Sequence, residues 1–175
     1  MIKKIAIAVI VLIAALLVYA ATRPSAFSVQ RTSSIKATPE KIYPLISDFR
    51  KWGPWSPYEK KDPNMKRTYS GAASGKGSVY EWEGNREVGK GSIEITEAVP
   101  PSRVVLKLDM IKPIEGHNVV EFTLQPLGGS TNVTWAMRGS HSFVGKLLSL
   151  FISMDKMIGA DFETGLASLK AVAEK

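Results

Sequence analysis

The chain contains no cysteine, which removes disulfides, thiolate metal sites, a cysteine nucleophile and a lipid-bearing cysteine anchor. Its stability rests on packing alone. Histidine is nearly as scarce: His117 and His141 are the two, and neither belongs to an HxH or HExxH arrangement that would hold a metal. His117 opens an expected strand beside Gly116, and His141 lies between serines in a short polar connection. A surface or hydrogen-bonding role fits each better than catalysis. No Gly-x-Ser-x-Gly elbow is present to expose a nucleophilic serine. Gly71 to Gly77 falls one residue short of a phosphate loop and lacks the Ser or Thr after its lysine that would hold magnesium. No run of five or six like charges occurs, and the net charge of +7 is spread along the chain. That distribution argues against nucleic-acid binding and suits attraction to an anionic bilayer surface. No cofactor is implied.

What the chain does have is an apolar run. Ile5 to Thr22 form eighteen uncharged positions between Lys3, Lys4 and Arg23. As a helix they reach roughly 27 Å, near the lower limit for crossing a hydrocarbon core of about 30 Å. A retained transmembrane anchor is the expectation. The rival is a cleaved secretory signal, for which Val18-Tyr19-Ala20 offers small residues near a cleavage point. Under both readings Lys3 and Lys4 hold the N-terminus in the cytoplasm, and everything after Arg23 lies on the extracytoplasmic, periplasmic side of the inner membrane. Residues 1–22 are thus expected to be the anchor. Residues 23–175 are expected to be one domain, carrying a net +5 once Lys3 and Lys4 are set aside.

In that domain Phe27 to Lys36 alternates like a strand, and Thr38-Pro39 caps a short helix carrying Ile42, Leu45, Ile46 and Phe49, with Pro44 expected to kink it or to tighten its first turn. Trp52-Gly53-Pro54-Trp55-Ser56-Pro57 is an irregular segment that presents two indoles. From Met65 to Gly139 the period is two, and six strands fit. Gly84-Asn85 reads as a two-residue hairpin connection, so that the next strand starts at Arg86 and bends at Gly89 and Gly91. Val104, Leu106, Leu108 and Met110 form one apolar face, continued by Val120, Phe122, Leu124, Val133, Trp135 and Met137. Lys146 to Lys175 reads as one long amphipathic helix, its first part apolar nearly all round from Val144 to Met154, where it would cover the mouth of the domain or touch the bilayer. Asp155, Asp161 and Glu163 on that helix do not face one another, since six residues place Asp155 and Asp161 about 120° apart. Solvated helix charges, or ties to neighbouring loops, suit them better than shared acid–base work. Gly75-Lys76-Gly77-Ser78 recurs as Gly89-Lys90-Gly91-Ser92, and a hairpin between the two would bring both lysines together near an anionic head group or leave them solvated.

One strand, a helix, a six-stranded meander and a long closing helix make an α+β, helix-grip order: a curved antiparallel sheet of about seven strands around the last helix. The chain also resembles the STAR-related lipid-transfer and polyketide cyclase/dehydrase (SRPBCC) superfamily from about Ser28 to Glu174. The resemblance is carried by Ser33-Ser34-Ile35-Lys36-Ala37-Thr38-Pro39-Glu40-Lys41-Ile42-Tyr43, by Trp52 with Trp55-Ser56-Pro57, and by the stretch from Met154 to Lys170. It implies a deep pocket between sheet and helix for a hydrophobic small molecule. Trp52, Trp55, Tyr80, Trp82, Phe122, Trp135, Met137, Met154, Ile158 and Phe162 are the candidate lining, although each alone is more often a core residue. The leading expectation is a membrane-anchored carrier for a lipid, quinone, isoprenoid or polyketide-like ligand. The alternatives are a cyclase/dehydrase-like enzyme using Arg86, His117 or Tyr80 for proton transfer, or a protein-interaction module at the membrane.

Overall fold

In the computed structural model, which describes residues 1–140, 143–151 and 153–175, the period-two stretch forms a seven-stranded sheet with the long first strand at one edge. Helix α1 (Ile2–Thr22) is followed after three residues by β1 (Ala26–Ile35), then α2 (Pro39–Ser47), a short 3-10 turn and α3 (Pro57–Lys61). Strands β2 (Lys66–Gly71), β3 (Ser78–Glu83), β4 (Lys90–Val99), β5 (Arg103–Lys112), β6 (Gly116–Leu127) and β7 (Ser130–Ser140) come next. Helices α4 (Phe143–Ser149) and α5 (Met154–Ala173) complete the chain. All neighbours are antiparallel, in the order β1-β7-β6-β5-β4-β3-β2. The sheet therefore follows the chain as a meander except that β1 closes beside β7.

Alternation buries one face. Val104, Leu106, Val120, Phe122, Leu124, Val133 and Trp135 are buried on strands, and α5 lays Ile158, Phe162, Leu166 and Leu169 against them. This is the helix-grip arrangement expected from the period changes. Gly91 stands at a register shift between β4 and β5, and a second shift lies between Ile95 and Glu97. Both bend the sheet around the helix.

Four local expectations give way. The turn after β3 has six residues, Gly84 to Gly89, and β4 begins at Lys90, not Arg86. Asn85 makes the difference: its side-chain oxygen accepts from the amides of Glu87 and Val88, building a wider turn that folds buried Val88 inward. The C-terminal helix starts at Met154, not Lys146, because Ser153 is extended and its hydroxyl accepts from the Lys156 amide as an N-cap. Pro57 begins the short helix α3, and the irregular segment ends there. Helix α2, with Thr38 at its N-cap and Pro44 inside it, stops at Ser47, so that Phe49, expected on this helix, falls in the following 3-10 turn. His141 falls outside the described residues.

Candidate functional site

The two indoles after α2 are placed by orphan carbonyls. The last turn of a helix leaves its C=O groups without partners. In α2 those of Ile46 and Leu45 accept from Nε1 of Trp52 and Trp55, both at 2.9 Å. The Trp-Gly-Pro-Trp segment is thereby pinned across the concave face of the sheet. Trp55 is fully buried and packs edge-on to Phe122 (6.0 Å) and Trp135 (5.7 Å), while Trp135 stacks on Phe162 at 4.2 Å and 12°. These rings close one end of the space between sheet and helix.

Toward the other end the space is not filled. A cavity of about 440 Å³ lies between strands β3 to β7 and α5, within the range of small-molecule sites. Of the ten residues singled out from the sequence, Trp52, Tyr80, Trp82, Trp135, Met137, Met154, Ile158 and Phe162 line it. Trp55 and Phe122 do not; they are sealed in the core behind Trp135. Met65, Val88, Ile93, Leu108 and Val120 complete the apolar wall. Of these, Leu108 and Val120 were legible as strand faces, whereas Val88 comes from a turn that no periodicity marks. Trp82 lies against Gly91, where a Cβ would sit 2.6 Å from the ring, and its Nε1 donates to the Val88 carbonyl at 2.9 Å. A glycine at 91 is thus what seats this indole.

The polar groups of the wall are largely engaged with one another. Glu59, a residue that sequence reasoning passed over, accepts from the Tyr80 hydroxyl at 2.5 Å on one oxygen and from Arg67 Nε at 2.8 Å on the other. Burial, then this bond to Glu59, pushes the Tyr80 phenol well above its ordinary range, so it stays protonated. Lys61 Nζ reaches both oxygens of Asp161 at 2.7 Å, and burial, reinforced by Asp161, likewise raises the Tyr58 phenol. Among the described residues, the buried Trp135 Nε1 has no partner. Among the described residues, no cluster of three or more His, Asp or Glu side chains is placed to hold a metal ion.

The other chemistry-bearing residues lie elsewhere. His117 is exposed, with Nδ1 2.6 Å from Asp109, and Arg86 is exposed on the β3–β4 turn; neither lines the cavity. Lys76 and Lys90 fall at opposite ends of the β3–β4 hairpin, because β3 runs the length between them, and Lys90 pairs with Glu83 at 3.0 Å. The shared head-group site suggested by the repeat is therefore not formed. Asp155 and Glu163 both grip Arg31 of β1, at 3.0 and 2.6 Å, while Asp161 turns to Lys61. The guanidinium fills the place where Gly159 would carry a Cβ.

That clasp predicts a pH effect. The Arg31 hydrogen bond holds the Asp155 carboxyl below the usual range. A depressed carboxyl contributes stability that is complete above the unfolded value of about 3.9 and is lost as pH falls through the folded value. Arg31→Met should lower the unfolding midpoint at pH 7, and the gap from wild type should narrow as the pH falls below the unfolded carboxyl value and through the depressed folded one. A gap independent of pH would show that the clasp contributes packing only.

The wider likeness agrees with this geometry. A profile of the family described as polyketide cyclase / dehydrase and lipid transport matches residues 26–174. Protein CV1439 from Chromobacterium violaceum is 16% identical, superposes with a TM-score of 0.62, and the match covers 85% of this chain and 97% of that one. The Aha1 dimer from Colwellia psychrerythraea gives 19% identity and 0.60, over 85% and 96%. The Staphylococcus aureus protein SA2116 gives 15% and 0.61, over 87% and 96%. At these identities the likeness shows the fold alone. No match is found among curated proteins. The profile match extends over nearly all of the chain beyond α1, and the chain belongs to the polyketide cyclase/dehydrase and lipid-transport family.

Proposed function

We propose that the protein is a membrane-held binding or carrier protein for a hydrophobic small molecule. The ligand, a lipid, quinone, isoprenoid or polyketide-like compound, would lie in the cavity between the sheet and α5. The observation that carries this reading is the 440 Å³ space walled mainly by aromatic, methionine and aliphatic side chains. Burial of an apolar molecule there is favoured by roughly 25 cal/mol per Å² of surface removed from water. Helix α1, with 21 residues and an apolar composition, is long enough at about 31 Å to cross a bilayer. In this reading residues 1–22 stay attached as the anchor in the inner membrane. Residues 23–175 form the ligand-binding domain on the extracytoplasmic side, as the positions of Lys3 and Lys4 favour.

One observation supports a second, catalytic reading: the Tyr80–Glu59 pair stands on the cavity wall. Its proton is already held between two engaged groups, and Arg86 and His117 lie off the cavity, which favours binding over proton transfer.

The test uses cis-parinaric acid with the full chain in lipid nanodiscs. Three of the four tryptophans line the cavity, so the saturable part of the tryptophan-sensitised emission, beyond that given by empty nanodiscs, reports probe held there. Sensitised emission should saturate with the probe. The melting temperature should rise, with about 2.7 kcal/mol added when free probe is 100 times Kd. Trp82→Leu should weaken binding with cooperative unfolding kept. Neither emission nor stabilisation across a panel of lipids, quinones and polycyclic compounds would overturn the carrier reading. Turnover of a polyketide-like substrate that Tyr80→Phe abolishes, with affinity kept, would favour the enzyme.

A further inference from the structure

We infer that the mouth of the cavity opens onto the surface of the bilayer that α1 crosses, with α4 seated in the lipid interface as the face through which the ligand passes. This rests on α1 being a retained spanning helix.

The covalent chain fixes most of the geometry. Three residues, Arg23 to Ser25, join α1 to β1, and they span at most about 11 Å. The first residue of β1, Ala26, pairs with Ser140 at the end of β7, from which the chain leads to α4. That end of the sheet is also the open end of the cavity, where Phe27, Ser140 and Gly116 line it together with Gly145 and Leu148 of α4. Wherever α1 leaves the membrane, the mouth is therefore within a few residues' reach of it. Helix α4 also lies against α1, and Ala20 near the end of α1 is fully buried.

The surface around the mouth suits lipid better than water. Phe143, Val144, Leu148 and Phe151 on and after α4 are 50%, 56%, 40% and 72% exposed, and Met157 and Ile114 beside them are 51% and 41% exposed. Single exposed apolar groups are ordinary, but this many around one opening mark an interaction site. Lys146 and Lys156 flank them, and Arg23 stands over the Tyr19 ring at the end of α1, an arrangement that suits the head-group level. The opposite end of the sheet, at Leu127, the last residue of β6, lies about 36 Å away along that strand. An apolar ligand leaving the bilayer would then enter the cavity without crossing water.

The absence of native cysteine gives a direct test. Val144→Cys, Phe151→Cys and, as the distal control, Leu127→Cys are labelled with a nitroxide in the full chain, whose retained α1 is checked by intact mass in the same nanodiscs. Collisions with oxygen and with a water-soluble nickel chelate then give depth. The labels at 144 and 151 should lie about 5–10 Å below the phosphates, as for an interfacial helix, and the label at 127 should be fully aqueous. Water-like labels at both 144 and 151 would overturn the inference, whether or not cis-parinaric acid binds. Submerged labels without any sensitised parinarate emission would leave the membrane contact standing and remove the ligand-binding reading instead. Equal depth in zwitterionic and anionic nanodiscs would assign the contact to apolar insertion, and depth only in anionic ones to Lys146 and Lys156; either supports it.

Discussion

A chain ending at Ser153 should fail to fold cooperatively. Without α5 the concave face loses Ile158, Phe162, Leu166 and Leu169, and Val120, Phe122, Val133 and Trp135 are left facing water on one side of an open sheet. An apolar face of that extent drives association, so the fragment should aggregate or melt without a sigmoidal transition. The graded form of the same experiment is Phe162→Ala. The ring is 2% exposed and stacked on Trp135, so truncation removes an aromatic pair and enlarges a cavity that already exists on one side. The expected loss is about 3–5 kcal/mol by urea denaturation. A soluble, cooperatively unfolding fragment without α5 would contradict the packing of the whole domain.

Glu59→Ala should be nearly as damaging, although Glu59 is a charged residue in a five-residue helix. Its side chain is only 8% exposed, and both oxygens are used, by Tyr80 and by Arg67. Removing the carboxylate leaves a buried phenol and a mostly covered guanidinium without their partner. Breaking such a pair typically costs about 3–5 kcal/mol. Arg67 keeps the carbonyls of Pro63, Met65 and Asp62, which puts the expected loss near the lower end, about 3 kcal/mol. Glu59→Gln should lose less, since an amide still offers an oxygen to the Tyr80 hydroxyl. A loss under about 1 kcal/mol for Glu59→Ala would mean that water replaces the carboxylate without penalty.

The difference between Glu59 and the tryptophans shows what a single sequence discloses here. Strand faces were legible because alternation is a local property: Tyr80 and Trp82, or Leu106 and Leu108, announce a shared side wherever they occur. The order of elements then sufficed for the helix grip. Distances between faces are not local. Trp55 and Phe122 have the same inward placement as Trp52 and Trp135, yet the first two are sealed in the core and the second two meet a void. That outcome depends on how the Trp-Gly-Pro-Trp segment is drawn onto the carbonyls of α2. Glu59, Arg67 and Tyr80 come from three elements, and Lys61 meets Asp161 across 100 residues, so no spacing rule could join them. The two-residue reading of Gly84-Asn85 failed for a local reason, because an asparagine that bonds two following amides widens the turn that its sequence otherwise suggests.

Whether the cavity holds a ligand is measured most directly by native mass spectrometry of the full chain purified from its host, beside a Leu108→Trp variant. Leu108 lines the cavity, and an indole there would occupy much of the space while leaving α1 unchanged. One apolar compound per chain is expected on the wild-type protein and none on the variant, with the variant still unfolding cooperatively. The same compounds on both proteins in the same amounts, or none on either, would contradict the carrier reading.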